Sequence, residues 1–333
     1  MPIPLLHRCC PELAGSLPFL RLGQAPTPVR RLPGLGTRSE VWVKDESGYG
    51  DGGWGGNKVR KLEWLLPEAR RRGARTILTV GGLGTNWGLA AARYAREAGF
   101  DVAVGLIDHP VDEHVRAQLE RLRASGATLH FLHTKPRLIL AAPWLFARHT
   151  HGRTPPYYLP AGGSSPLGTL GAVETALELG AQVEAGELPE PTWLVTPVGS
   201  GGTAAGLTLG LQLAGLRTRV LGVVVNDTLR LDSTTLLGLT RRTTALLRAR
   251  GADLSGTGAT APHAIRTETA WLGDGYAHPT TAGDHALAHA SAQAGLTLER
   301  TYTAKALAAL LALDEADRLD GGPVVFLQTH GPR

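Results

Sequence analysis

The chain has 333 residues, of which 43% are hydrophobic and 19% charged, with a formal charge of +5. That length supports one large domain or two medium ones, and the balance is ordinary for a globular enzyme. The excess charge is carried mostly by scattered Arg, and its densest run, "ARRRGAR" at 69–75, sits where a helix is expected to end; Arg there complements the helix dipole, so no nucleic-acid partner is expected.

The start, "MPIPLLHRCC", lacks the charged-then-apolar pattern of a secretion signal, and no apolar run reaches membrane-spanning length. Adjacent Cys9 and Cys10 do not suit disulfide geometry. A cytoplasmic setting without membrane partners is expected. "VWVKD" (41–45) reads as a strand. Six glycines follow (Gly48, Gly50, Gly52, Gly53, Gly55 and Gly56), then Asn57 and Lys58 open a helical run, "KVRKLEWLLPEARRR" (58–72). Pro67 is expected to kink or split that helix. Strands follow at "TILTVGG" (76–82), "DVAVGLI" (101–107) and "ATLHFLH" (127–133), with helices at 86–100 and 111–126 between them. Further on come "TWLVTPV" (192–198), a helix at 203–215, "RVLGVVV" (219–225), a helix at 305–319 and a last strand, "PVVFLQT" (323–329). Such alternation predicts parallel sheets covered on both faces. Glycine- and proline-rich zones around 50–56 and 152–168 mark candidate domain crossings. The alternative fold is a (β/α)₈ barrel, which favours a phosphate loop after a late strand; here the best phosphate loop lies mid-chain.

That loop is "TPVGSGGTAAGL" (196–207), between a strand and a helix. Gly199, Gly201 and Gly202 bring backbone N–H groups close to an anion, Ser200 and Thr203 add hydroxyls, and the helix dipole favours negative charge. It is neither a dinucleotide fingerprint, since Ala204 stands where glycine is needed, nor a Walker loop, since no Gly-Lys-Ser/Thr follows. A small phosphate monoester suits it better than a dinucleotide; a plain strand-to-helix turn is the alternative.

There are only five lysines, Lys44, Lys58, Lys61, Lys135 and Lys305. A lysine kept where arginine is otherwise preferred suits imine chemistry, which needs a neutral amine. A helix start and partial burial both lower a lysine pKa, and Lys58, at a predicted helix start beside apolar Leu62 and Trp64, is expected to meet that requirement; a solvated lysine is the alternative. Lys61, one turn on, is placed to reach a phosphate. His7, His130, His133, His149, His151 and His330 show no metal-ligand spacing and are expected at the surface.

Taken together, "GGNKVRKLEWLL", "VGGLGTNWGLAAA", "AGGSSPLGTLG", "PVGSGGTAAGL", "GDGYAHPTTAGDHAL" and "TYTAKALAAL" resemble, in order and over roughly residues 15–333, the D-cysteine desulfhydrase and 1-aminocyclopropane-1-carboxylate deaminase family. These are pyridoxal-phosphate (PLP) enzymes of the tryptophan-synthase-β-like group, fold type II. The resemblance implies an α/β fold of two domains, each an open, mostly parallel twisted sheet covered by helices. It implies a larger PLP-binding domain (1–65 and 160–333), a smaller substrate-closing domain (66–159) and a homodimer. Lys58 matches the Schiff-base lysine, and residues 199–203 match the phosphate cup. Asn86 matches the partner of the cofactor's phenolic oxygen, and Thr85 the residue touching the substrate carboxylate. Tyr276 and Tyr302 match two active-site tyrosines, one of them against the pyridine ring. Thr329 matches the hydroxyl residue facing the pyridine nitrogen. A neutral hydroxyl there favours prompt loss of a β-leaving group over transamination.

The implied reaction is β-elimination from a small amino acid, D-configured ones included. Lys58 acts as base on the α-carbon, and a keto acid and ammonia are released. Ring opening of 1-aminocyclopropane-1-carboxylate, β-replacement, and PLP binding with little catalysis are the alternatives. Thr303, after Tyr302, follows the desulfhydrase pattern rather than the deaminase Glu. Trp87 replaces the family's His beside Asn86, Ser165 replaces Asn, and Ala172 stands where Tyr is common, so the substrate-facing wall differs from the family's. The "GGSSPLG" loop, with Gly163 and Ser164, is expected to anchor a substrate carboxylate.

Overall fold

The computed structural model describes residues 3–50, 55–255 and 265–330; Gly52 and Gly53 lie outside the described residues. From the N-terminus come α1 (Leu5–Cys9), β1 (Val29–Arg31), β2 (Val41–Asp45), α2 (Lys58–Arg71), β3 (Thr76–Gly82), α3 (Asn86–Glu97) and β4 (Asp101–Ile107). Next are α4 (Glu113–Ala124), β5 (Thr128–His133), α5 (Lys135–Arg148), β6 (Tyr157–Leu159), α6 (Pro166–Glu184), β7 (Trp193–Val198) and α7 (Gly202–Leu213). Last are β8 (Arg219–Val224), α8 (Ser233–Ala249), β9 (Ile265–Glu268), α9 (Thr281–Ala294), α10 (Thr303–Glu315) and β10 (Val324–Gln328).

Two sheets form, ordered β1-β2-β10-β7-β8-β9 and β5-β4-β3-β6. Only β1 runs antiparallel to its neighbour among the described pairings. This is the α/β fold expected. In the larger sheet β7 and β10 are buried along their whole length. Val43, Val195 and Phe326 pack on one face with Leu307 and Leu310 of α10, while Leu194, Val220 and Leu327 pack on the other with Leu207 and Leu211 of α7. Apolar cover on both faces is what a parallel sheet requires. The smaller sheet spans residues 76–159, and its core takes Ile77, Val102 and Val104 together with Val59, Leu62 and Leu66 of α2. The other side of α2 presents Trp64 to Leu170 and Val173 of α6. The expected division between residues 65 and 66 therefore falls inside a helix shared by both cores. No helix among the described residues is long and apolar enough to cross a membrane.

Short polar side chains start many of the helices. Thr85, Asp112, Ser165, Asp232 and Thr280 each accept the N–H three residues on, at 2.7–3.1 Å, satisfying donors the helix leaves free. Pro67 does not split α2, although splitting is one of the two outcomes expected of it. A proline removes the N–H that Glu63 O would accept, but the backbone N–H of Leu20 takes that carbonyl at 2.9 Å, so no acceptor is orphaned and the helix continues. His7 and His330 also depart from expectation, being only 8% and 6% exposed; His7 packs edge-on against Trp64.

Beneath α2 lies a buried ionic cluster. The Arg60 guanidinium donates to Glu46 at 2.6 and 2.8 Å and to Glu178 at 3.0 Å, and Lys44 donates to Glu178. Burial pushes the Glu178 carboxyl up, but the charges of Arg60 and Lys44 outweigh it and hold it low. The cluster ties β2, α2 and α6 together two residues from Lys58.

Candidate active site

The carboxyl ends of parallel strands are where open α/β sheets bind ligands. Here strand ends from both sheets open on one cavity of about 770 Å³. The smaller sheet contributes the turn after β3, with Thr85, Asn86 and Trp87, and the loop after β4, with His109; the larger sheet contributes Gly199, Ser200, Gly201 and Thr203 after β7, and Thr329 after β10. Lys58, Tyr276 and Tyr302 complete the wall. Eleven expected residues thus share one cavity. The other four, Lys61, Gly163, Ser164 and Gly202, stand behind its lining.

Lys58 is the first residue of α2. Burial pulls its amine down to about 8, against a smaller upward pull from the Glu299 carboxylate. A helix N-terminus opposes a positive charge in the same sense. Lys61 is 1% exposed; burial, then the charge of Lys58, hold its amine well below the usual range. Its Nζ donates to Gly162 O at 2.9 Å.

The loop after β7 forms an anion cradle. Gly201 caps α7 with φ +86°, a conformation that favours glycine. A Cβ on Gly202 would lie 2.6 Å from Ser164 Oγ and 2.9 Å from Lys61 Nζ, so only bare backbone fits there. Ser164, expected at a substrate carboxylate, is committed to the cradle. Its Oγ accepts from Gly202 N at 3.0 Å and bonds Ser200 Oγ at 2.9 Å. Gly163 lies under the Trp87 ring. Ala161 and Gly162 take the places of this pair in the cavity wall. Asn226 Nδ2 donates to Gly199 O at 2.8 Å, and Asn57 Nδ2 to Thr203 Oγ1 at 3.2 Å. Hydroxyls, a helix N-terminus and a buried amine converge here, which suits a phosphate monoester. A bound dianion would also favour the charged form of Lys61.

Thr85 Oγ1 accepts from Gly88 N at 3.0 Å; its own O–H stays available as a donor. Asn86 Oδ1 accepts from Gln118 Nε2, which leaves the Asn86 amide N–H groups for a cofactor oxygen. Trp87 donates its indole N–H to Thr79 Oγ1 at 2.8 Å and offers the cavity only apolar ring. Tyr276 and Tyr302 are hydrogen-bonded through their hydroxyls, and burial raises both phenols. Both therefore keep their protons, and the pair retains one O–H to donate outward. Glu299 fixes Tyr302 by accepting the N–H groups of Thr301, Tyr302 and Thr303 at 2.7–2.8 Å. Asp227 Oδ1 accepts Tyr276 N at 3.1 Å, and Lys305 Nζ holds the same loop through Leu272 O at 2.7 Å.

Gln118, Asn226, Asp227 and Glu299 escaped the sequence reading. Asn226 and Asp227 follow directly on a strand, a position that flags a site in this fold class; Gln118 carried no such signal, because its partner lies 32 residues away.

A family model described as pyridoxal-phosphate dependent enzyme matches residues 20–329. D-cysteine desulfhydrases from Salmonella paratyphi A and Salmonella newport are each 31% identical over 324 residues, 94% of either chain. Among solved structures, an ACC deaminase homologue superposes with a TM-score of 0.79 at 24% identity, covering 96% of this chain and 93% of its own. A threonine deaminase from T.th. superposes with a TM-score of 0.65 at 22% identity, covering 98% and 97%. Both likenesses concern the fold.

Proposed function

The chain belongs to the family of pyridoxal-phosphate dependent enzymes and is a lyase that uses this cofactor, and on that premise we propose that it eliminates a β-substituent from a small amino acid by a D-cysteine desulfhydrase-like reaction. The observation that carries this reading is Lys58, a half-buried amine lowered to about 8 in one cavity with the Gly199–Thr203 cradle. In this reading Lys58 holds the cofactor aldehyde. The cradle with Lys61 would hold its phosphate, Asn86 its phenolic oxygen and Thr329 its ring nitrogen, with Tyr302 packed against Gly199 of the cradle.

When bound, pyridoxal phosphate draws electrons from the substrate α-carbon and so lets its proton leave. The Lys58 amine takes that proton. The Thr85 hydroxyl and the N-terminal turn of α3 receive the substrate carboxylate, which fixes the bond to be broken. The Tyr276–Tyr302 pair supplies a proton to the departing group. The smaller sheet with the helices packed on it, which follows α2 from residue 76 to 159, closes over the substrate and excludes water. A homodimer in the cytoplasm is part of the same reading.

The test is the visible absorbance of the bound cofactor, followed as D-cysteine, L-cysteine, D-serine and 1-aminocyclopropane-1-carboxylate are added separately. D-cysteine is expected to perturb the band and release keto acid and ammonia. A band inert to all four overturns elimination from these unsubstituted small amino acids. A second expectation follows from Lys58. Only the neutral amine attacks an aldehyde, and an amine is neutral above its pKa. Uptake of cofactor by the stripped protein is therefore expected to speed up roughly tenfold per pH unit below the Lys58 value and to level off above about 8. Stopped-flow absorbance reads this directly, and a flat profile contradicts it.

A further inference from the structure

The cavity changes character from floor to mouth. Around Lys58, Thr85 and the phosphate cradle it is polar. At the mouth its wall carries large apolar side chains, Leu138 and Ile139 of α5 and Tyr158 of β6 from the elements of the smaller sheet and Leu229 on the loop after β8, interspersed with the exposed polar residues Asp108, Lys135, Asp227 and Asp274. Ile139, Tyr158 and Leu229 are 63%, 44% and 37% exposed. Large apolar side chains gathered in the open around one cavity mark a place where something apolar binds. Lys135, at the start of α5, reaches across to Thr228 O at 3.4 Å, so the two sides of the lip already approach each other. Cysteine or serine fills only the polar floor.

We propose that this lip is a subsite for an apolar group carried on the leaving atom of the substrate, so that the preferred substrates are S-alkyl or S-aralkyl cysteines rather than cysteine itself. The inference rests on the lyase reading above and names its substrate class. The amino and carboxylate groups bind at the floor, the β-carbon lies next to them, and a substituent on sulfur extends outward. The reaction balances without an oxidant or reductant. The Cα–H bond breaks and its proton goes to Lys58. The Cβ–S bond breaks and its electron pair leaves with the thiolate, which is then protonated. One water completes the hydrolysis, giving pyruvate, ammonia and the free thiol. Trp87 fits this picture, since its N–H is spent on Thr79 and its ring adds apolar wall.

The experiment compares S-methyl- with S-benzyl-cysteine, in both enantiomers, on the cofactor-loaded full chain; both leaving groups are alkyl thiolates. The S-benzyl compound is expected to show about tenfold or higher kcat/KM, carried mainly by a lower KM. S-benzyl-α-methylcysteine has no α-proton to lose, and calorimetry is expected to show it binding about tenfold tighter than its S-methyl counterpart. In Ile139→Asp, and independently in Leu229→Asp, both preferences are expected to shrink toward unity. Both sites are exposed, so neither change threatens the core. Equal values for the two thioethers, or a preference that survives both variants, overturns the inference. A preference that survives while Ile139→Asp shifts the elution volume on a sizing column also overturns it, because the lip then serves contact between two copies. A chain that shows no cofactor band fails earlier, on the lyase reading itself.

Discussion

Replacing Lys58 with Ala is expected to lower turnover by about 10⁴-fold or more, because one substitution removes both the attachment point of the cofactor and the base for the α-proton. Lys58→Arg is expected to be equally inactive, since a guanidinium stays charged and cannot form the imine. Stability separates this loss from misfolding. The Lys58 amine is pulled from 10.5 to about 8 by burial, so in the cofactor-free protein the folded state disfavours its proton. The resulting penalty is absent above the unfolded value, grows as pH falls through the interval, and is complete below about 8. Cofactor-free Lys58→Ala is therefore expected to be more stable than the parent at pH 7, by at most about 3 kcal/mol, and equal to it near pH 11. Chemical denaturation at the two pH values checks this. A variant no more stable than the parent at pH 7 contradicts the lowered Lys58 amine, and a Lys58→Ala protein that keeps turnover contradicts its role as the imine lysine.

Much of this arrangement was legible in the sequence because it is local. The strand–helix alternation, the glycine run before Lys58 and the Gly199–Thr203 turn each depend on residues within one short window, and 11 of the expected residues meet in one cavity. The scarcity of lysine was informative too: Lys44, Lys61 and Lys305 are each no more than 1% exposed, as expected where a compact amine is wanted inside. What escaped depends on partners distant in the chain. Pro67 read as a breaker because nothing nearby announced that Leu20 would take the carbonyl of Glu63. Ser164 read as a substrate anchor because its bond to Gly202, 38 residues on, is a product of tertiary packing. Helices α6 and α8 went unassigned although Ser165 and Asp232 cap them. Both are rich in Thr or Gly, which blurs the apolar period.

The largest stability effect is expected from Arg60→Met. Arg60 is 1% exposed and bridges Glu46 and Glu178, themselves 0% and 3% exposed, and its guanidinium stacks 4.0 Å over the Tyr49 ring. Methionine keeps much of the volume and removes the charge. Two buried carboxylates are then left with Lys44 as their remaining cationic partner in the cluster. Breaking a buried pair from one side costs about 3–5 kcal/mol, because the orphaned charge stays desolvated. The sign of the pH dependence follows. At Glu178 the charge of Arg60 is the largest force opposing the upward push of burial, so without it that carboxyl moves up, and the deficit is largest at pH 8 and shrinks toward pH 5 as it takes up a proton. Urea denaturation at both pH values reads the two numbers. The triple variant Arg60→Met, Glu46→Gln, Glu178→Gln is expected to recover most of the loss, since neutral amides are cheaper to bury than unpaired carboxylates. If the triple variant is no better than Arg60→Met, packing around Tyr49 rather than charge is what Arg60 contributes. The cluster lies two residues from Lys58 on the same helix, so cofactor affinity is expected to fall with Arg60→Met and return with the triple variant. That parallel makes the ionic cluster the support that holds the lysine in position.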